Sequence, residues 1–125
     1  ITTFSDRINV VSGVSTFADN AKLTFGTQGD LIIWHSGSQS YIQDGGTGGL
    51  ILNSDVLSIK NGSDTEMMGR FTQNAGVDLF YDDTERLSTT AIGATVFGDF
   101  IASGVGTFAR SYVSGIATFA SDVNV

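Results

Sequence analysis

Short runs of apolar and β-branched residues, separated by Gly, Asn and Asp, make up most of this 125-residue chain. Within several runs apolar and polar residues alternate, which is the period of a half-buried β-strand. Turn residues recur about every eight to twelve positions, as in all-β proteins. The pattern predicts strands at Leu23–Phe25, Leu31–His35, Tyr41–Gln43, Leu50–Asn53, Val56–Lys60, Glu66–Phe71, Val77–Tyr81, Arg86–Thr90 and Ala94–Phe97. The one place for a helix is Thr65–Gly76, and its internal glycines weaken that alternative.

The segment Asp30–Ile42 predicts a hairpin, and it holds the only Trp and the only His of the chain. We expect a tight turn at Ser36–Ser38, with Gly37 in a left-handed conformation and the serines bonded to nearby backbone. Alternation places Leu31, Ile33 and His35 on one face of the first strand, and Ile32 and Trp34 on the other. We therefore predict that His35 points inward.

A short repeat flanks this region at both ends of the chain. Similar glycine-containing segments ending in Thr-Phe-Ala occur at Val11–Ala18, Ala102–Ala109 and Val113–Ala120, with a degenerate copy at Ile1–Ser5. Repeats this short bury their apolar side only by stacking on neighbours. We predict three divisions: a repeat-type shaft over 1–21, a central β module over 22–93, and a second shaft over 94–125.

Strands of three to five residues do not bury enough apolar surface to offset the backbone entropy that is lost when they become ordered. Several chains wound about one axis would cover them and would also remove the sheet edges. The sequence thus predicts an elongated, intertwined homotrimeric fibre of β-prism or β-helix type. The expected inward or interchain residues are Phe17, Leu31, Ile33, His35, Phe108 and Phe119. A single-chain β-solenoid is the alternative.

Composition removes several classes of function. Six basic and thirteen acidic residues give a net charge of −7, which disfavours nucleic acid, because nucleic-acid binding depends on clustered Lys and Arg. The chain has no cysteine, so it has neither a disulfide framework nor a thiolate metal site. No apolar run is long enough to span a membrane, and no signal-peptide pattern is present. Because the chain begins at Ile1 and ends at Val125 inside a repeat, we expect it to be part of a longer polypeptide.

Five motifs follow one another along the chain at Lys22–Gly26, Asp30–Ile42, Asp44–Leu50, Val77–Asp83 and Arg86–Thr90. Their order and spacing resemble a repeat module of tail-fibre and other appendage proteins of marine tailed bacteriophages. They keep the family's order over about seventy residues, and the glycine-containing repeats are similar to the linkers between such modules. The chain departs from the family pattern at Trp34, where Tyr is usual, and at Ser36, where Asp is usual.

The resemblance implies a structural segment of a virion fibre that supports host attachment. Its implied partners are two further copies of the chain, other virion proteins, and a host glycan or receptor; it implies no catalytic residue and no cofactor. Fibres of this kind sometimes hold a metal on histidines at the axis, which makes His35 a weak metal candidate. A buried imidazole bonded to a serine or to backbone is the competing interpretation.

The remaining candidate sites compete with structural roles. Trp34, Tyr41 and Tyr81 would form a sugar-stacking platform if they faced outward together, as a carbohydrate-binding module requires. The alternative is that they pack at the ends of the module or between chains. Gly45–Gly49 lacks the aspartate of a calcium-binding repeat and the Lys of a phosphate loop, which indicates a tight corner. Asp82 and Asp83 are adjacent on the chain and point in opposite directions, which favours a solvated turn over paired catalytic acids.

Overall fold

The computed structural model describes Ser5 and residues 9–120, where all regular secondary structure is β-strand. The strands are β1 (Lys22–Phe25), β2 (Leu31–His35), β3 (Ser40–Asp44), β4 (Val56–Lys60), β5 (Met67–Thr72), β6 (Val77–Tyr81), β7 (Thr84–Thr90) and β8 (Gly93–Val96). The predicted all-β class is confirmed. No helix that could span a membrane occurs in this part of the chain.

The chain divides into two units, Ile1–Asn53 and Ser54–Val125. The first contains a three-stranded sheet in the order β1-β2-β3, and the second a five-stranded sheet in the order β4-β5-β6-β7-β8. Every neighbouring pair is antiparallel, so each sheet is a meander of consecutive hairpins. Neither sheet closes on itself. The boundary between the units falls inside the module predicted over 22–93.

Of the nine strands predicted between Leu23 and Phe97, the structure contains all but one, with bounds within two residues of those predicted. Leu50–Asn53 was wrong: no strand pairs with this segment, which directly precedes the boundary between the units. The helical alternative for Thr65–Gly76 was also wrong, because β5 occupies it between two ladder partners.

The flanking repeats do not form the short strands that the pattern predicts. Around Phe17, Phe108 and Phe119 the backbone has only bends and irregular structure, because three-residue segments find no ladder partner within one chain. The degenerate copy at Ile1–Ser5 lies outside the described residues except for Ser5.

The turns follow local chemistry. Gly37 has φ +92°, the left-handed conformation predicted for the hairpin turn. Ser36 Oγ accepts a hydrogen bond from the Gln39 amide at 3.2 Å. Between β6 and β7 the two-residue turn Asp82–Asp83 has positive φ at both positions, as a type I′ turn requires. The prediction of a turn there is confirmed.

Within Ser5 and residues 9–120, no hydrophobic side chain is buried. The face of β2 that was predicted to point inward is not buried either. On it, Leu31 is half-buried, while Ile33 and His35 are exposed. Ile32 and Trp34, on the other face, are half-buried. The single chain therefore does not bury His35, and the more covered face of β2 is that of Trp34. Burial of Ile33 and His35 between chains stays a prediction.

Candidate functional site

An aromatic row crosses the three-stranded sheet. Lys22, Trp34 and Tyr41 lie opposite one another on β1, β2 and β3, so their side chains share one face. The rings of Trp34 and Tyr41 stack with their centroids 4.4 Å apart and their planes inclined by 11°. The Nζ atom of Lys22 lies 4.8 Å from the Trp34 ring centroid, within the range of a cation–π interaction. We call these three residues the aromatic row.

The two neighbours of Trp34 in the aromatic row, Lys22 and Tyr41, leave no face of its indole ring free for a ligand. Tyr41 stacks on the Trp34 ring and Lys22 lies over it, so a sugar has no free indole face to stack on. The hydroxyl of Tyr41 donates a hydrogen bond to Gln39 Oε1 at 2.6 Å. The Nε1 atom of Trp34 is buried and has no hydrogen-bond acceptor among the described residues. The outer ring face of Tyr41, on the edge strand β3, is the surface left for stacking.

Tyr81, the third residue of the predicted platform, lies in the other unit. It ends β6 and is 72% exposed. The structure thus brings together Trp34 and Tyr41 in one sheet, whereas Tyr81 belongs to the other sheet.

His35 makes the hydrogen bond that the sequence favours, but in an exposed position. Its Nδ1 lies 3.1 Å from Ser40 Oγ, because His35 and Ser40 are opposite each other at the end of the β2–β3 hairpin. No cluster of three or more His, Asp or Glu residues suited to a metal occurs in the described ranges.

The opposite face of the same sheet is apolar. Leu23, Ile33 and Ile42 form a cross-strand row there, and all three are exposed. Phe17 and Ala18 from the N-terminal repeat lie beside this row. An open pocket of about 170 Å³ is lined by Phe17, Ala18, Ala21, Leu23, Ile33, Trp34 and His35. Three residues of the predicted inward set, Phe17, Ile33 and His35, thus line one pocket.

The glycine-rich corner forms a shallow depression rather than a built site. Asp30, Asp44 and Gly45–Gly49 line a space of about 520 Å³. The carboxylate of Asp44 accepts a hydrogen bond from the Gly46 amide at 3.3 Å, which is the bonding of a local turn. The prediction of a tight corner agrees with this geometry.

One polar cluster was not anticipated from the sequence. Asp78 on β6 accepts hydrogen bonds from Arg70 Nη2 at 2.8 Å and from Ser88 Oγ at 2.7 Å. The three residues lie in one cross-strand row over β5, β6 and β7. These hydrogen bonds, that of Ser88 first, lower the pKa of Asp78 below its usual value of 3.8. The clearest signal in the sequence is Asp78, a single acidic residue between the apolar neighbours Val77 and Leu79.

No protein-family model, curated protein or solved structure matches this chain. The resemblance to fibre modules of marine phages is therefore carried by the motifs of the sequence alone. The described strands carry exposed large apolar side chains, among them Leu23, Ile33 and Ile42.

Proposed function

We propose that this chain is a structural segment of a bacteriophage virion fibre, assembled as a homotrimer and supporting attachment to the host. The observation that carries the proposal is the lack of any buried hydrophobic side chain in the described residues. Hydrophobic burial is the main force that holds folded chains together. Ordered strands with exposed apolar faces are therefore stabilised when these faces are buried, and we propose that contacts with further copies of the same chain bury them.

The flanking repeats also expose large apolar side chains. Val105, Tyr112 and Ile116 are each more than nine-tenths exposed, and further copies of the chain would cover them as well.

The pairing of the strands favours the trimer over the single-chain solenoid. A parallel β-helix stacks its rungs through parallel pairing. All described pairs are antiparallel and join consecutive strands, and the repeats at residues 99–120 form no rungs within one chain. Pairing between chains is the remaining way to order these repeats.

Sedimentation velocity of the purified chain tests the assembly. We expect one species of three times the chain mass at micromolar concentration, with a β-type circular dichroism spectrum. A folded monomer over the whole concentration range would contradict the proposal.

Immunogold electron microscopy tests the location: an antibody to the chain should label the appendages of the phage whose genome encodes it. Labelling of the capsid alone, or no labelling of the particle, would contradict the fibre assignment.

A carbohydrate-binding module on the same fibre is the second candidate. The stacked pair Trp34–Tyr41 supports it, since aromatic rings beside polar groups are common in sugar sites. Any sugar would stack on Tyr41 rather than on Trp34. A glycan array with the trimer tests this function, with Tyr41→Ala as the variant that should lose binding. Equal binding by both proteins would exclude the aromatic row as the site.

A further inference from the structure

The two faces of the five-stranded sheet differ sharply in chemistry. One face carries a set of side chains contributed by all five strands, which we call the apolar face: Leu57, Ile59, Phe71, Leu79, Leu87 and Val96. The register supports this grouping, because Ile59, Gly69, Leu79, Leu87 and Val96 follow one another across the sheet. Leu79 also lies directly over Gly69, which has no side chain to separate them.

The apolar face is exposed on the ordered sheet. Leu57 and Leu87 are half-buried, and the other four side chains are exposed. Monomeric proteins rarely leave a contiguous apolar surface of this kind uncovered. The strands under it are held by continuous antiparallel ladders, so the face is presented as a preformed surface.

Charge is kept away from the apolar face. The ladders also place Val77, Thr89 and Ala94 on this face, and these residues too carry no charge. Arg70 and Asp78 lie on the opposite side of the sheet, where they neutralise each other at 2.8 Å. Uncompensated charge is what a desolvated interface excludes from its centre. A chain with net charge −7 is thus able to bring this face against an identical one.

We infer that the apolar face packs against the equivalent faces of the other copies of this chain and forms the hydrophobic centre of the assembly. The inference rests on the proposed homotrimer and adds to it the surface that holds the three copies together. The opposite face, with its hydrogen-bonded Arg70, Asp78 and Ser88, is left to face solvent.

Strand β4 offers a matched pair of variants for the test. Ile59 belongs to the apolar face and is 46% exposed, whereas Val56 lies on the opposite face and is 48% exposed. Both are β-branched and sit on the same edge strand. We expect Ile59→Asp to raise the concentration for half-assembly by roughly tenfold or more, because it buries an unpaired carboxylate. Val56→Asp should assemble like the unmodified chain, and equal weakening by both variants would contradict the inference.

Single cysteines test the same surface without a disruptive charge. The chain contains no cysteine, so Leu79→Cys and Val56→Cys each introduce one thiol per copy. With a short bifunctional maleimide, we expect most Leu79→Cys chains to become cross-linked on a denaturing gel, and Val56→Cys chains to stay single. Both variants are first confirmed as assembled by sedimentation.

The outcomes separate the inference from the proposed function. If both cysteine variants are trimeric but only Val56→Cys cross-links, the trimer stands and the assigned face is wrong. If both are trimeric and neither cross-links, the apolar face is covered by something other than its copies, and the inference is again overturned. If the unmodified chain is a folded monomer at every concentration, the proposed trimer and the inference fail together.

Discussion

Arg70 and Asp78 face each other directly across β5 and β6, with Nη2 2.8 Å from Oδ2. Arg70 also lies over the ring of Phe80, 5.8 Å from its centroid, and Ser88 Oγ donates to the second carboxylate oxygen. Asp78 is the one polar residue that the described chain buries, at 9% exposure. The cluster joins three neighbouring strands and holds their register on the face opposite the apolar one.

Asp78 should make the stability of the folded chain depend on pH. Its pKa is lowered below 3.8 in the folded chain, first by the Ser88 hydrogen bond and then by Arg70. The carboxylate therefore stabilises the fold fully above its ordinary pKa, and this contribution is lost as pH falls through the lowered value. We expect Asp78→Asn to melt at a lower temperature at pH 7, with the difference from the unmodified chain narrowing below about pH 4. Circular dichroism melting at fixed concentration measures both.

Ser88→Ala tests whether the hydrogen bond from Ser88 is the larger cause of the lowered pKa of Asp78. Removing the hydroxyl should raise the pKa of Asp78 towards 3.8, as followed by the NMR shift of its carboxyl carbon. Ser58→Ala is the control, since Ser58 lies in the same cross-strand row but two strands away from Asp78. An equal pKa change in both variants would show that the hydroxyl of Ser88 is not the cause.

The aromatic row has a built-in spectroscopic probe, because Trp34 is the only tryptophan. Tyr41→Ala removes the stacked ring at 4.4 Å and should shift the emission to longer wavelength. It should also cost about 0.5–1.5 kcal/mol beyond the lost contact area. Tyr81→Ala, in the other sheet, is the control and should leave the emission unchanged. An unchanged spectrum in Tyr41→Ala would mean that the two rings do not stack in solution.

The turn between β4 and β5 depends on the side chain of Asn61. Its Oδ1 accepts hydrogen bonds from the amides of Thr65 and Glu66 at 2.9 and 3.1 Å. We expect Asn61→Ala to destabilise the chain by about 1 kcal/mol or somewhat more, because two amides lose their acceptor. Asn61→Asp keeps the acceptor and should retain most of the stability. Denaturant midpoints compare the two, and similar losses would show that the acceptor oxygen is not what matters.

Gly76 lies where the backbone of strand β7 comes close, so that the position has no room for a side chain. A Cβ at this position would meet the carbonyl oxygen of Thr89 on β7, and backbone cannot move aside as a flexible side chain can. Gly76→Ala should therefore destabilise the chain by about 1–3 kcal/mol, as overpacking does. Gly62→Ala, where a Cβ meets nothing within 4 Å, should be neutral or slightly stabilising. Thermal melting of the pair checks this, and equal melting temperatures would contradict the contact.

Much of the local structure was predictable because it depends on residues close together in the chain. Alternation placed the strands, and Gly37 predicted the hairpin turn with its positive φ. The His35–Ser40 hydrogen bond also follows from one hairpin. Leu50–Asn53 and the flanking repeats were predicted as strands from the same signals, but a strand also needs a ladder partner, and the sequence pattern does not show whether one is present.

By itself, the sequence determined the all-β class, the positions of most strands and the faces on which their side chains lie, since each depends on a period of two residues. Only the tertiary structure decided which residues meet across strands. The two β-bulges, between Ile59 and Lys60 and between Leu79 and Phe80, shift the register in a way that no alternation pattern shows. The register places Arg70 opposite Asp78. It also places Lys22 and Tyr41 on either side of Trp34. In the second sheet it brings apolar residues from five strands onto one exposed face.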